Sequence, residues 1–133
     1  MKNCLFCNII KGKVFAYKIY EDDFTLCFLD KKPASRGHSL VIPKEHFENI
    51  YDINEENLEK ILNTIKKVTF ILKEKLGCEG INILHASGEV AQQSIPHFHF
   101  HILPRYRNDG LDAWPKIKYK KIDLKKVFED IKS

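Results

Sequence analysis

The sequence predicts an α+β domain: a five-stranded antiparallel sheet carrying one long helix, with short helices at the termini. Two observations carry this expectation. Five short runs rich in β-branched and aromatic residues are separated by turn-forming segments, without the strand–helix alternation of βαβ units. Between the third and fourth of them lies one long stretch with helical periodicity. A chain of 133 residues suits a single domain over 1–133, with a core spanning about 4–114 and a C-terminal extension over 115–133.

The elements follow in order. Residues 4–11 read as a short helix or turn closed by Gly12, which sets Cys4 and Cys7 one turn apart. Residues 19–21 and 24–30 read as paired strands around an Asp22-Asp23 turn. Pro33, Ser35 and Gly37 make 31–37 a loop, and 38–42 is a third strand stopped by Pro43, with His46 just beyond it. Asn54 is a suitable N-cap for a helix whose apolar residues recur at Leu58, Ile61, Leu62, Ile65, Val68 and Leu72; it runs to Leu76 and ends at Gly77. Residues 80–84 begin a fourth strand, 88–93 form a loop and 97–103 the fifth strand, while Leu124, Val127, Phe128 and Ile131 mark a C-terminal helix.

Composition excludes several function classes. Hydrophobic residues at 44% and charged residues at 30% fit a globular protein, and no apolar run approaches a membrane span. The start, Met1-Lys2-Asn3-Cys4, lacks the basic-then-apolar layout of a secretory signal, so a cytoplasmic location is expected. In that reducing compartment Cys4-x-x-Cys7 reads as metal ligands or a redox motif rather than a structural disulfide, and Cys27 and Cys78 read as core. The formal charge of +4 gathers toward Lys116, Lys118, Lys120, Lys121, Lys125 and Lys126, a run that suits a polyanion or simply a solvated face. The sequence carries no zinc-finger spacing, basic aromatic helix or other nucleic-acid module, and no membrane partner is expected.

The most informative stretch is residues 94–104. Alternation along a strand puts His97, His99 and His101 on one face and Phe98, Phe100 and Ile102 on the other. Three of the six histidines therefore sit together in five positions. Imidazoles spaced about 7 Å apart can bind a metal, move protons or attack an electrophile.

His97-Phe98-His99-Phe100-His101-Ile102-Leu103, preceded by Gln93-Ser94 and by the run from Gly37-His38 to Pro43-Lys44-Glu45-His46, resembles the histidine-triad (HIT) nucleotide-binding proteins, in particular their phosphoramidase-like branch. The resemblance extends from Cys4 to about Trp114. It implies the HIT-like fold, a homodimer, and hydrolase or transferase chemistry at the α-phosphate of a purine nucleotide derivative through a covalent nucleotidyl-histidine. By position, His99 matches the nucleophile, His101 a phosphate contact, and Ser94 and Gln93 the donors to phosphate and leaving group. Asp30 matches the carboxylate on the ribose hydroxyls, and Leu5, Phe6, Ile9 and Phe28 the walls around the base. Cys4, Cys7, His46 and His97 match four ligands of a zinc ion in some members, a closed set of the structural kind. Two positions depart from the family pattern: Gln92 stands for a glycine and Ala86 for an asparagine.

Physical chemistry supports such roles. An imidazole is nucleophilic at neutral pH and its phosphorus adduct is labile, so one hard displacement becomes two easier ones. The charge developing on the phosphate needs fixed donors. The preferred substrate is a nucleoside phosphoramidate. The alternatives are a dinucleoside polyphosphate hydrolase, a nucleotide-binding regulatory module without turnover, and a metalloenzyme whose His97, His99 and His101 share a catalytic zinc. His38 reads as a phosphate neighbour, an orienting group or a buried structural residue, and His85 as an ordinary strand-end residue. Trp114 and Pro115 read as a cover for the site edge or as packing.

Overall fold

In the computed structural model, which describes residues 3–133, five strands lie side by side in the order first, second, third, fifth and fourth, every neighbouring pair antiparallel. Met1 and Lys2, the start of the segment read for a leader, lie outside the described residues. The strands are β1 Lys18–Glu21, β2 Thr25–Leu29, β3 Ser39–Pro43, β4 Gly80–Leu84 and β5 Phe100–Arg105. Helix α1 is Leu5–Ile10, α2 is Glu55–Leu76 and α3 is Leu124–Lys132. The fold matches the expectation.

Pleating sorts the sheet into two faces. Cross-strand pairs Leu26↔Ile42 and Phe28↔Leu40 face α1, where they pack with Phe6 and Ile9, while Cys27↔Val41 between them faces α2. Cys27 and Cys78 are both buried in the α2-side core. Helix α2 presses Ile61, Ile65, Val68 and Leu72 onto that side, each such side chain contributing about 1.5–3 kcal/mol by leaving water. A hydroxyl pair, Thr25 Oγ1 to Thr64 Oγ1 at 2.6 Å, pins the helix to β2 inside this apolar layer. Truncating Ile65 to alanine would cost about 2–5 kcal/mol.

The ends of α2 are where the sequence put them. Asn54 accepts the N–H of Asn57, and Gly77 closes the helix at φ 70, ψ 25, a left-handed position that favours glycine. The Asp22 side chain closes the β1–β2 hairpin by accepting the N–H groups of Phe24 and Thr25. Among the described residues no helix is long and apolar enough to cross a membrane. The C-terminal helix lies open, with Leu124, Phe128 and Ile131 exposed, and Trp114 is 74% exposed, which leaves little of it for packing within the described residues.

One boundary differs. The ladder of β5 begins at Phe100, three residues later than the histidine alternation predicted. Register would set Phe98 opposite Pro43, which has no N–H to give. The Pro43 carbonyl is taken by the His97 ring, and the Phe98 N–H turns to the Phe47 carbonyl at 2.7 Å.

Candidate active site and metal centre

The pleat that builds the core also builds the site. Leu40 lies on the α1 face and pairs with His101, so His101 and, two and four residues earlier, His99 and His97 belong to that face. Continuing β2 and β3 by the same period brings Asp30 and His38 beside them, and the Asp30 N–H bonds the His38 carbonyl at 2.9 Å where the two strands part. Phe6 of α1 stands over the histidine row, edge-on to His97 and to His99 with ring centroids 5.7 and 5.2 Å away. Phe28 completes that layer 5.5 Å from Phe6. Of the four residues expected to wall a base, Phe6, Ile9 and Phe28 are buried under α1 and Leu5 is half-buried.

Hydrogen-bond partners fix the proton positions. The His99 ring puts Nδ1 2.7 Å from the His97 carbonyl, so Nδ1 carries the hydrogen and Nε2 keeps its lone pair. His38 Nδ1 accepts the Ala34 N–H at 3.0 Å, which forces the proton of the neutral ring onto Nε2. That Nε2–H lies 2.9 Å from His101 Nδ1 and 3.5 Å from Asp30 Oδ2. His101 therefore accepts at Nδ1 and carries its own proton on Nε2. Burial holds His38 and His99 below the ordinary imidazole range, opposed in His38 by Asp30 and in His99 by the His97 carbonyl. Burial, reinforced by His99 and His38, pushes His101 down to about 4. The row is neutral at pH 7.

The first ring of the row faces a different set of donors. Cys4 caps α1, its sulfur accepting the Cys7 N–H at 3.3 Å, which turns both thiols inward. His97 Nδ1 lies 3.3 Å from Cys4 Sγ, 3.6 Å from Cys7 Sγ and 3.1 Å from His46 Nδ1, and Cys7 Sγ is 3.4 Å from His46 Nδ1. A tetrahedral ion with bonds of about 2.0–2.3 Å spaces its nitrogen and sulfur ligands about 3.3–3.8 Å apart, which these separations approach. His97 Nε2 donates to the Pro43 carbonyl at 2.9 Å, leaving Nδ1 a bare lone pair and supplying the outer partner that metal-bound imidazoles use. Burial, with Cys4 beside it, pushes the Cys7 thiol up to about 11, so that thiol stays protonated and a cation is what would discharge it. The donors fit a thiolate-binding divalent ion.

Asp30, His38 and His101 make a second cluster of ligand-type side chains, and its chemistry is different. A metal on His38 Nε2 would have to displace a proton from a ring whose other nitrogen already accepts a backbone N–H. A shared zinc on His97, His99 and His101 is disfavoured likewise, since His99 Nδ1 is bound to a carbonyl and His97 Nδ1 faces the cysteines.

The loop before the row holds two further expected residues. Ser94 is exposed, three residues before His97. Gln93, expected to donate to the leaving group, spends its amide on the backbone: Oε1 accepts the Gly88 N–H, and Nε2 donates to the Glu48 and Ile95 carbonyls. With both N–H groups engaged, it braces the loop instead. Asp30 accepts the Lys32 N–H on Oδ1 at 2.9 Å, which orients the carboxylate. Of the three readings open for His38, the orienting one fits its bond to His101, and the His85 ring, expected only as a strand-end residue, meets the His99 carbonyl 14 residues on.

Comparison with known proteins follows the same lines. The family model described as HIT domain matches residues 11–108. The adenosine 5'-monophosphoramidase of Schizosaccharomyces pombe is 38% identical over 133 residues, covering 98% of this chain and 97% of its own. The crystal structure of a HIT family member from Bacillus subtilis superposes with a TM-score of 0.86 at 39% identity, covering 98% of this chain and 95% of that one. A zinc-bound histidine triad family protein from Mycobacterium smegmatis superposes at 0.81 with 34% identity, covering 88% and 85%.

Proposed function

This chain belongs to the HIT domain family, and from that premise we propose that it is a nucleotide hydrolase acting on purine nucleoside phosphoramidates through a nucleotidyl-His99 intermediate. The observation that carries the reading is the His99 tautomer: Nδ1 is committed to the His97 carbonyl, so a neutral Nε2 lone pair is available to attack phosphorus. The activity named for the Schizosaccharomyces pombe relative favours the phosphoramidate over a dinucleoside polyphosphate.

In the first step the His99 Nε2–phosphorus bond forms as the phosphorus–nitrogen bond of the substrate breaks. The departing amine takes a proton from solvent, relayed by the exposed Ser94 hydroxyl. In the second step a water oxygen attacks phosphorus, His99 Nε2 departs, the water's proton passes to solvent and the nucleoside monophosphate is released. His101, with its proton fixed on Nε2 by His38, donates to a phosphate oxygen as charge builds there. Asp30 takes the ribose hydroxyls, and Leu5, Phe6, Ile9 and Phe28 surround the base.

Cys4, Cys7, His46 and His97 would hold a zinc ion, which when bound supplies a crosslink between α1, the segment after β3 and the histidine row. Two chains associating through exposed apolar surface complete the proposal, and sedimentation at about twice the chain mass of 15.6 kDa is the expected result. Intact-mass spectrometry of protein quenched in acid-free denaturant after mixing with adenosine phosphoramidate tests the chemistry. A nucleoside-monophosphate adduct that maps to His99 is expected; turnover without any adduct in wild type, or an adduct that persists in His99→Ala, overturns it.

A further inference from the structure

We propose that His85 is a positioning residue for His99, holding the nucleophile's peptide in place through its imidazole; the inference rests on the function proposed above. Strand β4 ends at Leu84, opposite His101, so the regular ladder stops short of the nucleophile. His85 is the next residue. Its ring reaches back across the strand end and places Nδ1 2.8 Å from the His99 carbonyl. A carbonyl only accepts, so Nδ1 carries the hydrogen and Nε2 the lone pair.

The other side of the ring enforces the same tautomer. His85 Nε2 lies 2.5 Å from Ser87 Oγ, and that oxygen accepts the Ile50 N–H at 2.9 Å. The Ser87 hydroxyl proton therefore points at Nε2. A continuous run of donors leads from the Ile50 backbone through Ser87 and His85 to the nucleophile's own carbonyl. The ring lies against Phe98 and Phe100, with centroids at 4.6 and 4.9 Å, on the face of the strand opposite His99. His99 is thus gripped twice: its ring by the His97 carbonyl, its peptide by His85.

This grip matters because His97, Phe98 and His99 precede the β5 ladder. A displacement of about 1 Å at a nucleophile can cost on the order of 100-fold in rate. His85 touches neither phosphate nor base, so its contribution should reside in kcat.

Two substitutions separate its two contacts. His85→Phe keeps a ring between Phe98 and Phe100 but has no N–H; His85→Asn loses the ring but sets an amide N–H where Nδ1 stood. Phenylalanine should lower kcat for adenosine phosphoramidate about 10- to 100-fold, with KM, AMP affinity and Tm close to wild type. Asparagine should keep kcat within about threefold while lowering Tm. If kcat instead tracks Tm, with asparagine the worse variant, or if both variants turn over like wild type, the proposal is overturned.

A second measurement needs no turnover. In protein labelled with nitrogen-15 histidine, His85 should show the Nδ1–H tautomer at neutral pH. The His99 ring resonances should shift in His85→Phe and stay in place in His85→Asn. An Nε2–H tautomer at His85, or His99 signals indifferent to both changes, overturns the inference. A wild-type protein that hydrolyses no phosphoramidate overturns the functional reading instead, and the resonance pattern then decides the role of His85 by itself.

Discussion

Removing the metal from the Cys4, Cys7, His46, His97 site is expected to lower the melting temperature by about 15 °C. Without a cation, the Nδ1 atoms of His46 and His97 stand 3.1 Å apart, and two buried cysteine side chains share the remaining space. An ion that binds only the folded chain, present at about 1,000 times its Kd, adds about 4.1 kcal/mol of stability. Unfolding entropy near Tm is about 2.1 cal/mol/K per residue, which over 133 residues makes about 0.28 kcal/mol/K and converts that stabilisation to the stated shift. The assay is thermal unfolding of zinc-loaded protein with and without dipicolinate, beside elemental analysis for one zinc per chain. Cys7→Ser should melt near the chelated value and lose its response to chelator. A Tm unmoved by chelation in protein shown to contain zinc would refute the crosslinking role, and protein purified without chelators that holds no zinc would refute the site.

Three other outcomes are expected. His99→Ala should reduce turnover at least about 1,000-fold while AMP affinity, read by calorimetry, changes little, since in the proposed mechanism only the covalent step uses Nε2; an AMP affinity lost along with turnover would argue against that role. His101 is neutral in the folded state and titrates near 4, against about 6.5 unfolded, so it contributes stability fully above pH 6.5 and loses it as pH falls toward 4, by at most about 3 kcal/mol. Urea unfolding should therefore show a shallower acid decline in His101→Asn than in wild type. Gln92 occupies φ 73, ψ 30, so Gln92→Gly should stabilise by about 1 kcal/mol, visible as a Tm rise of a few degrees; a fall would mean that the Gln92 side chain makes a contact worth more than the strain.

Helix α2 was legible to the residue because its signals are local: an Asn54 side chain that can cap, apolar residues at helical spacing, and a Gly77 able to turn left-handed. The start of β5 was not, because it depends on what Pro43, 54 residues before His97, fails to donate and on where its carbonyl goes. Alternation still placed the three histidines together: Phe6 stands over both His97 and His99, and His99 lies against His101. The four metal-type residues came together although they are scattered over 93 positions, but only resemblance grouped them; spacing alone left a metal or redox motif open at Cys4 and Cys7. Gln93 shows the opposite limit. Its type suits a phosphate donor, yet three backbone partners claim its amide, and no sequence pattern reports that competition. His85 read as an ordinary strand-end residue, because the His99 carbonyl its ring meets lies 14 residues further along the chain.

The shared face of His97, His99 and His101 also constrains how this chain can change in length. Between His99 and the Leu40↔His101 pair, inserting or deleting one residue turns His97 and His99 to the opposite face, toward the space of Phe98 and Phe100. A change of two restores every orientation and shifts the row by one pleat repeat. In that stretch a parity rule holds: an even step keeps His97 and His99 on their own face, while an odd step turns both away. Drift in this stretch of the gene should run through substitutions, with length variation pushed outside it.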